Sequence, residues 1–195
     1  MSKRSLLRFS VFGSLAFVAC AASAQEAITV LGTSPIEACA NLAAKASSTG
    51  TASYNDLLTC NDAVHWAHAT SNELAPAMIN RAVLYIARGE YTEAIADLDI
   101  ALAMKPTLAD GFNDRGAAHW ALHQNDAAKA DFTRALALQP SHPERVYFNR
   151  ALAYEDSGDL KQAFLDFSKA AEIDPSWDKP AKELARFSVG RARVS

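Results

Sequence analysis

The chain has 195 residues with a formal charge of −3, and half of its residues are hydrophobic. That is enough to bury a core, and with only 8 Gly and 7 Pro it excludes a mostly disordered chain. The mildly acidic balance argues against nucleic acid or an anionic membrane surface as partner. Residues 1–24 read as a signal peptide. Lys3, Arg4 and Arg8 form a basic start, Phe9 to Ala19 is apolar, and Ala22-Ser23-Ala24 supplies small residues for cleavage before Gln25. Its removal takes three basic and no acidic residues, so 16 stand against 22 and the formal charge becomes −6. Cys20 is an alternative lipid-bearing residue, but Phe17-Val18-Ala19 departs from the leucine-small-small pattern that such processing uses. A periplasmic or secreted bacterial protein is expected, with no membrane span once the signal is gone.

Residues 25–34 read as a flexible leader, and 35–70 as a helical hairpin. Its helices are Pro35 to Ala46 and Tyr54 to Ala67, with Ser47-Ser48-Thr49-Gly50 as the turn. Cys39 and Cys60 remain after export. An oxidising compartment invites a disulfide, which is worth ~3 kcal/mol for a loop of about this size. Two buried thiols are the alternative.

Residues 71–177 hold three similar segments, about 74–107, 108–141 and 143–176. Each ends at a proline: Pro106, Pro140 and Pro175. Upstream of these, Ala-x-x-Asp-(Leu/Phe)-x-x-Ala recurs as Ala94 to Ala101, Ala128 to Ala135 and Ala163 to Ala170. Earlier still, Arg81-Ala82, Arg115-Gly116 and Arg150-Ala151 hold matching places on a first helix, whose period shows in Ile79, Ala82, Val83 and Ile86. Turns are expected at Arg88-Gly89-Glu90, Gln124-Asn125-Asp126 and Ser157-Gly158-Asp159, with Asp126 and Asp159 as helix caps. Ser141-x-x-Glu144, with Pro143 in the first turn, reads as a capping box. Ala82, Gly116 and Ala151 mark where the first helix of each pair approaches the second closely, answered by Ala94, Ala128 and Ala163. One such pair cannot bury its own apolar face, so the pairs must stack. Residues 178–195 supply a capping helix, Asp178 to Val189, and a tail; Ala181, Leu184 and Phe187 are expected to dock on the third pair. Its basic residues, Arg186, Arg191 and Arg193, read as a solvated surface.

This pattern resembles the tetratricopeptide repeat, over about Leu74 to Ser176. Met78, Phe112 and Tyr147 stand where tryptophan is frequent, and His119 replaces a tyrosine. The resemblance implies an all-α solenoid of stacked helix-turn-helix units, with residues 35–70 as a fourth, degenerate unit preceding the three, in which Cys60-x-x-Ala63 matches the aromatic-x-x-Ala pair of the later units. It also implies a concave groove lined by Ile79, Val83, Ile86, Asn113, Ala117, Trp120, Phe148, Leu152 and Glu155, where a partner protein or peptide binds. Trp120 stands open as either binding anchor or packing residue. The family's carboxylate clamp is not expected, because Val83 and Ala117 stand at its asparagine positions and Ile79 at a lysine position.

Chemistry-bearing constellations are few. Arg81, Arg115 and Arg150 each precede an aspartate, Asp97, Asp131 and Asp166, by the same interval, and read as a structural ladder of ion pairs. His119 and His123 share a helix face, but no third ligand completes a zinc motif. His65 and His68 read as a solvated face or helix cap. No phosphate loop or nucleophile motif is found. The expectation is a non-enzymatic adaptor without cofactor or metal; a self-associating structural module is the alternative, and metal-dependent activity a third reading.

Overall fold

The computed structural model describes residues 34–66 and 69–192, with side chains described as far as Phe187. The signal peptide, Cys20, nearly all of the leader, His68, and the side chains of Val189, Arg191 and Arg193 lie outside the described residues. Among those described, all regular structure is helical: α1 (Pro35–Thr49), α2 (Tyr54–Val64), α3 (Ser71–Arg88), α4 (Tyr91–Met104), α5 (Ala109–Ala121), α6 (Asn125–Ala137), α7 (Pro143–Asp156), α8 (Leu160–Ile173) and α9 (Asp178–Ala192). They pair as α1/α2, the N-terminal pair, and then as the first, second and third repeat pairs, α3/α4, α5/α6 and α7/α8. Each first helix also packs on the second helix of the preceding pair, and α9 covers α8.

The small residues set how closely the helices of a pair approach. Ala82 packs with Ala94 and Leu98, and Ala151 with Ala163 and Phe167. Phe132 and Phe167 are fully buried, each worth about 1.5–3 kcal/mol in transfer from water. At Gly116 a Cβ would stand 2.7 Å from the Phe132 ring, so the second pair has no room there for even a methyl group unless the ring moves.

In the N-terminal pair the contact is covalent. Cys39 and Cys60 form a disulfide, with Cα atoms 4.8 Å apart, and both are fully buried. Cys60 holds the place of Leu98 and Phe132, as the hydrogen bonds show. Arg81 Nη1 donates to Asn61, the residue after Cys60, at 2.8 Å. Arg115 Nη1 donates to Asp99, the residue after Leu98, at 2.7 Å. Arg150 Nη1 donates to Thr133, the residue after Phe132, at 3.0 Å.

The other guanidinium nitrogens complete the ladder. Arg81 Nε and Nη2 both bond Asp97 at 2.7 Å. Arg115 holds Asp131 at 2.8 Å through both, and Arg150 holds Asp166 at 2.7 and 3.0 Å. These aspartates are only 6–7% exposed. Each arginine therefore ties its own two helices together and then reaches back to the pair before.

Local chemistry differs from the sequence expectation at several ends. Thr49, not Ala46, ends α1, because the left-handed residue is Gly50 (φ +69). Helix α2 stops at Val64, with His65 as its C-cap. Gly89 and Gly158 take left-handed values, but in the second pair His123 (φ 58) turns the chain, and α6 already begins at Asn125. Asp126 is thus inside the helix and pairs with Lys129 rather than capping. Asp159 does cap α8, accepting from the Gln162 N–H. The Ser141–Glu144 capping box does not form. His142 is the N-cap of α7, and Glu144 bonds its ring nitrogen at 3.1 Å instead. On α9, Leu184 and Phe187 dock on the third pair, but Ala181 is exposed and Pro180 is buried in its place. Pro76 lies inside α3. It offers no N–H to the Asn72 carbonyl, and Lys105 Nζ takes that carbonyl at 3.0 Å.

Removing Asp131 leaves a part-buried guanidinium without its two-pronged partner, whereas Asp99 is 57% exposed. Urea unfolding is expected to show Asp131→Ala costing about 3 kcal/mol and Asp99→Ala less than about 1 kcal/mol. Equal costs would contradict the ladder's structural role.

Candidate functional site

The first helices of the pairs, α3, α5 and α7, line one face of the stack. There a groove of about 560 Å³ opens, bounded by Val83, Ile86 and Ala87 of α3, Asn113, Asp114 and Ala117 of α5, and Arg145, Phe148 and Asn149 of α7. The end of α1, at Ala46 to Ser48 and Gly50, borders it, as do Trp177 and Lys179.

Val83, Ile86, Asn113, Ala117 and Phe148 meet in this groove as the sequence predicts. The remaining four lie elsewhere. Ile79 lines a neighbouring recess of about 350 Å³ with Pro76, Asn80, Asp110 and Pro140. Leu152 packs into the cluster around Phe167. Glu155 accepts from Arg186 Nη2 at 2.9 Å, beside the α8–α9 junction. Trp120 packs against the cluster of Phe132 and Val146, and its indole N–H donates to Asp156 at 2.7 Å. Its polar handle is thus already taken, and its ring serves the junction between the second and third pairs.

Trp177, Asn149 and Asp114 are among the groove residues that escaped the sequence reading. Trp177, just past Pro175, comes back onto Phe148 with ring centroids 4.9 Å apart. Asn149 and Asp114 occupy the helix position one residue beyond Phe148 and Asn113. The signal was available there, since Asn80, Asp114 and Asn149 immediately precede the three ladder arginines. Asn149, Asn113 and Asp114 form a polar chain across the floor: Asn149 Nδ2 donates to Asn113 Oδ1 at 3.2 Å, and Asn113 Nδ2 donates to Asp114 Oδ1 at 3.3 Å. Burial pushes the Asp114 carboxyl up to about 7, and the charge of Asp110 adds to the rise against the Asn113 hydrogen bond. Among the described residues, no arginine, lysine or histidine stands within ion-pair distance of Asp114.

The clamp positions Ile79, Val83 and Ala117 place no basic or amide group in the groove. His119 Nδ1 lies 2.6 Å from the Gln124 side-chain oxygen, and its Nε2 lies 3.8 Å from Asp131. Among the described residues, no three histidine, cysteine or acidic side chains are grouped to hold a metal ion, and no helix is long and apolar enough to cross a membrane.

The helix pairs define an all-α repeat solenoid. Residues 83–123 match the family described as TPR repeat, and residues 113–176 the one described as Tetratricopeptide repeat, so the matched segment carries the repeat. Human tetratricopeptide repeat protein 13 is 29% identical over 113 residues, 55% of this chain and 13% of that protein. The Hsp70-Hsp90 organizing protein of Triticum aestivum is 31% identical over 106 residues, 52% of this chain and 16% of that protein. The chain therefore spans less than a fifth of the length of these relatives. Two solved structures share the fold. A thermophilic TPR protein of Thermus thermophilus has a TM-score of 0.62 at 22% identity, covering 83% of this chain and 85% of that one. The first TPR of Spaghetti (RPAP3), bound to the HSP90 peptide SRMEEVD, has a TM-score of 0.57 at 24% identity, covering 60% and 95%.

The raised carboxyl has a consequence for stability. The ordinary carboxylate value is 3.8 and the folded one about 7, so between them the folded chain keeps a proton that the unfolded chain has lost. Stability therefore falls as pH rises through that window. Asp114→Asn is expected to remove this decline, raising Tm at pH 8 while leaving it nearly unchanged at pH 4. Parallel Tm–pH curves for the two proteins would contradict it.

Proposed function

We propose that this chain is an exported, non-enzymatic adaptor that holds a segment of a partner protein in the groove of α3, α5 and α7. The observation that carries the reading is the groove itself, where apolar walls from three successive repeats flank a polar floor. Such a surface buries an extended segment and fixes its register through a few polar contacts. The peptide seated on the Spaghetti repeat supports a peptide as the kind of ligand. An acidic chain terminus is not the ligand favoured here, because the clamp positions are apolar.

Export is supported by the basic-apolar-small order of residues 1–24 and by the buried Cys39–Cys60 bridge, which an oxidising compartment sustains. A bacterial periplasm or secreted location follows from this reading. The intact mass of the protein purified without reductant is expected to fit a chain starting at Gln25, two hydrogens below the fully reduced form. A retained N-terminus or two free thiols would remove the export claim.

Ala117 stands at the middle of the groove with little bulk. Ala117→Trp is expected to fill it and abolish capture of the partner from envelope extract, with the helical circular dichroism unchanged. Undiminished capture by the folded variant would take the groove out of the account.

A further inference from the structure

We propose that Asp114 receives the side chain of a lysine or arginine in the bound segment, so that the groove selects a basic residue flanked by apolar ones. The inference rests on the groove being the binding surface and adds the chemistry of what it selects.

The three ladder aspartates, Asp97, Asp131 and Asp166, each hold an arginine through two hydrogen bonds. Among the described residues, Asp114 has only the neutral amide of Asn113. A part-buried carboxylate without a cation is costly. The corresponding residues of the first and third repeats are Asn80 and Asn149, so amides serve that position in both neighbours. The second repeat alone carries a charge there, at the middle of the groove.

A cation arriving with a ligand would repair this deficit. Around Asp114 the groove supplies what a long basic side chain and its neighbours need. Val83 and Ile86 take apolar flanking groups, and the Phe148–Trp177 pair offers ring faces for an aliphatic stem or a guanidinium. One carboxylate with two amides is too few ligands for a metal ion. Arg145 and Lys179 also line the groove; neither reaches Asp114, and Arg145 approaches Glu144 at 4.0 Å. They lie where the segment's own carbonyls or acidic groups would pass, and they disfavour a second cation at that edge.

The probe is a random heptapeptide library displayed on phage, panned at pH 8, where Asp114 is ionised, on the purified disulfide-bonded protein and on its Asp114→Asn and Ala117→Trp variants. Lysine or arginine at one fixed position is expected in peptides selected by the unaltered protein, with apolar neighbours. That preference is expected to vanish with Asp114→Asn while the apolar preference persists. In fluorescence anisotropy, replacing the basic residue of a selected peptide by glutamine is expected to weaken binding roughly tenfold or more to the unaltered protein and hardly at all to Asp114→Asn. Selected peptides without a basic preference, or a preference surviving Asp114→Asn, would overturn the inference alone. No selectable peptide, or peptides held equally by Ala117→Trp, would overturn the groove reading and this inference together.

Discussion

A guanidinium that grips a buried carboxylate with two nitrogens and reaches back with a third is the interaction on which this stack depends. Hydrophobic burial drives the helices together but is indifferent to register. The arginine fork is planar and directional, so it admits one orientation of first helix against second. Because the remaining nitrogen bonds to Asn61, Asp99 or Thr133 on the preceding pair, the same residue also sets the step from one pair to the next. Arginine repeats strictly, whereas its distant acceptor varies, since any oxygen at that point satisfies the geometry.

The second constraint is steric, and the repeats meet it in different ways. Ala82 and Ala151 leave space for Leu98 and Phe167, while Gly116 leaves more for Phe132. In the N-terminal pair the small-to-large contact is replaced by the Cys39–Cys60 bond. That pair has a longer turn and few large apolar residues, so a covalent tie supplies cohesion that side-chain volume elsewhere provides. It matters to the groove, because the end of α1 borders it. The same helix thus carries the Cys39 end of the bridge and one border of the groove.

The groove combines apolar walls with a floor of amides and one unpaired carboxylate. Where a ladder aspartate is fully answered within the fold, Asp114 is not, and its proton affinity rises accordingly. In the neighbouring repeats this place is held by the uncharged amides of Asn80 and Asn149.

The helix pairs, their order and the ladder partners were legible in the chain, because three copies of one pattern make each position testable against two others. The constant interval between Arg81 and Asp97, Arg115 and Asp131, and Arg150 and Asp166 carried the pairing. Cys39 and Cys60 pointed to a bridge or to two thiols, and folding brought their Cα atoms within bonding reach. Half-legible were the helix ends. Backbone dihedrals at His123 and the cap at His142 depend on how the chain must turn to reach the next packed face, and local propensity ranks other residues higher. Least legible was the groove. Trp120 is expected in the groove and Trp177 is not, yet the first is held by Asp156 across a junction and the second folds onto Phe148. A repeat pattern states which helix face a residue occupies. Which of those residues share one space depends on the curvature accumulated over several pairs, and that is a property of the packed stack.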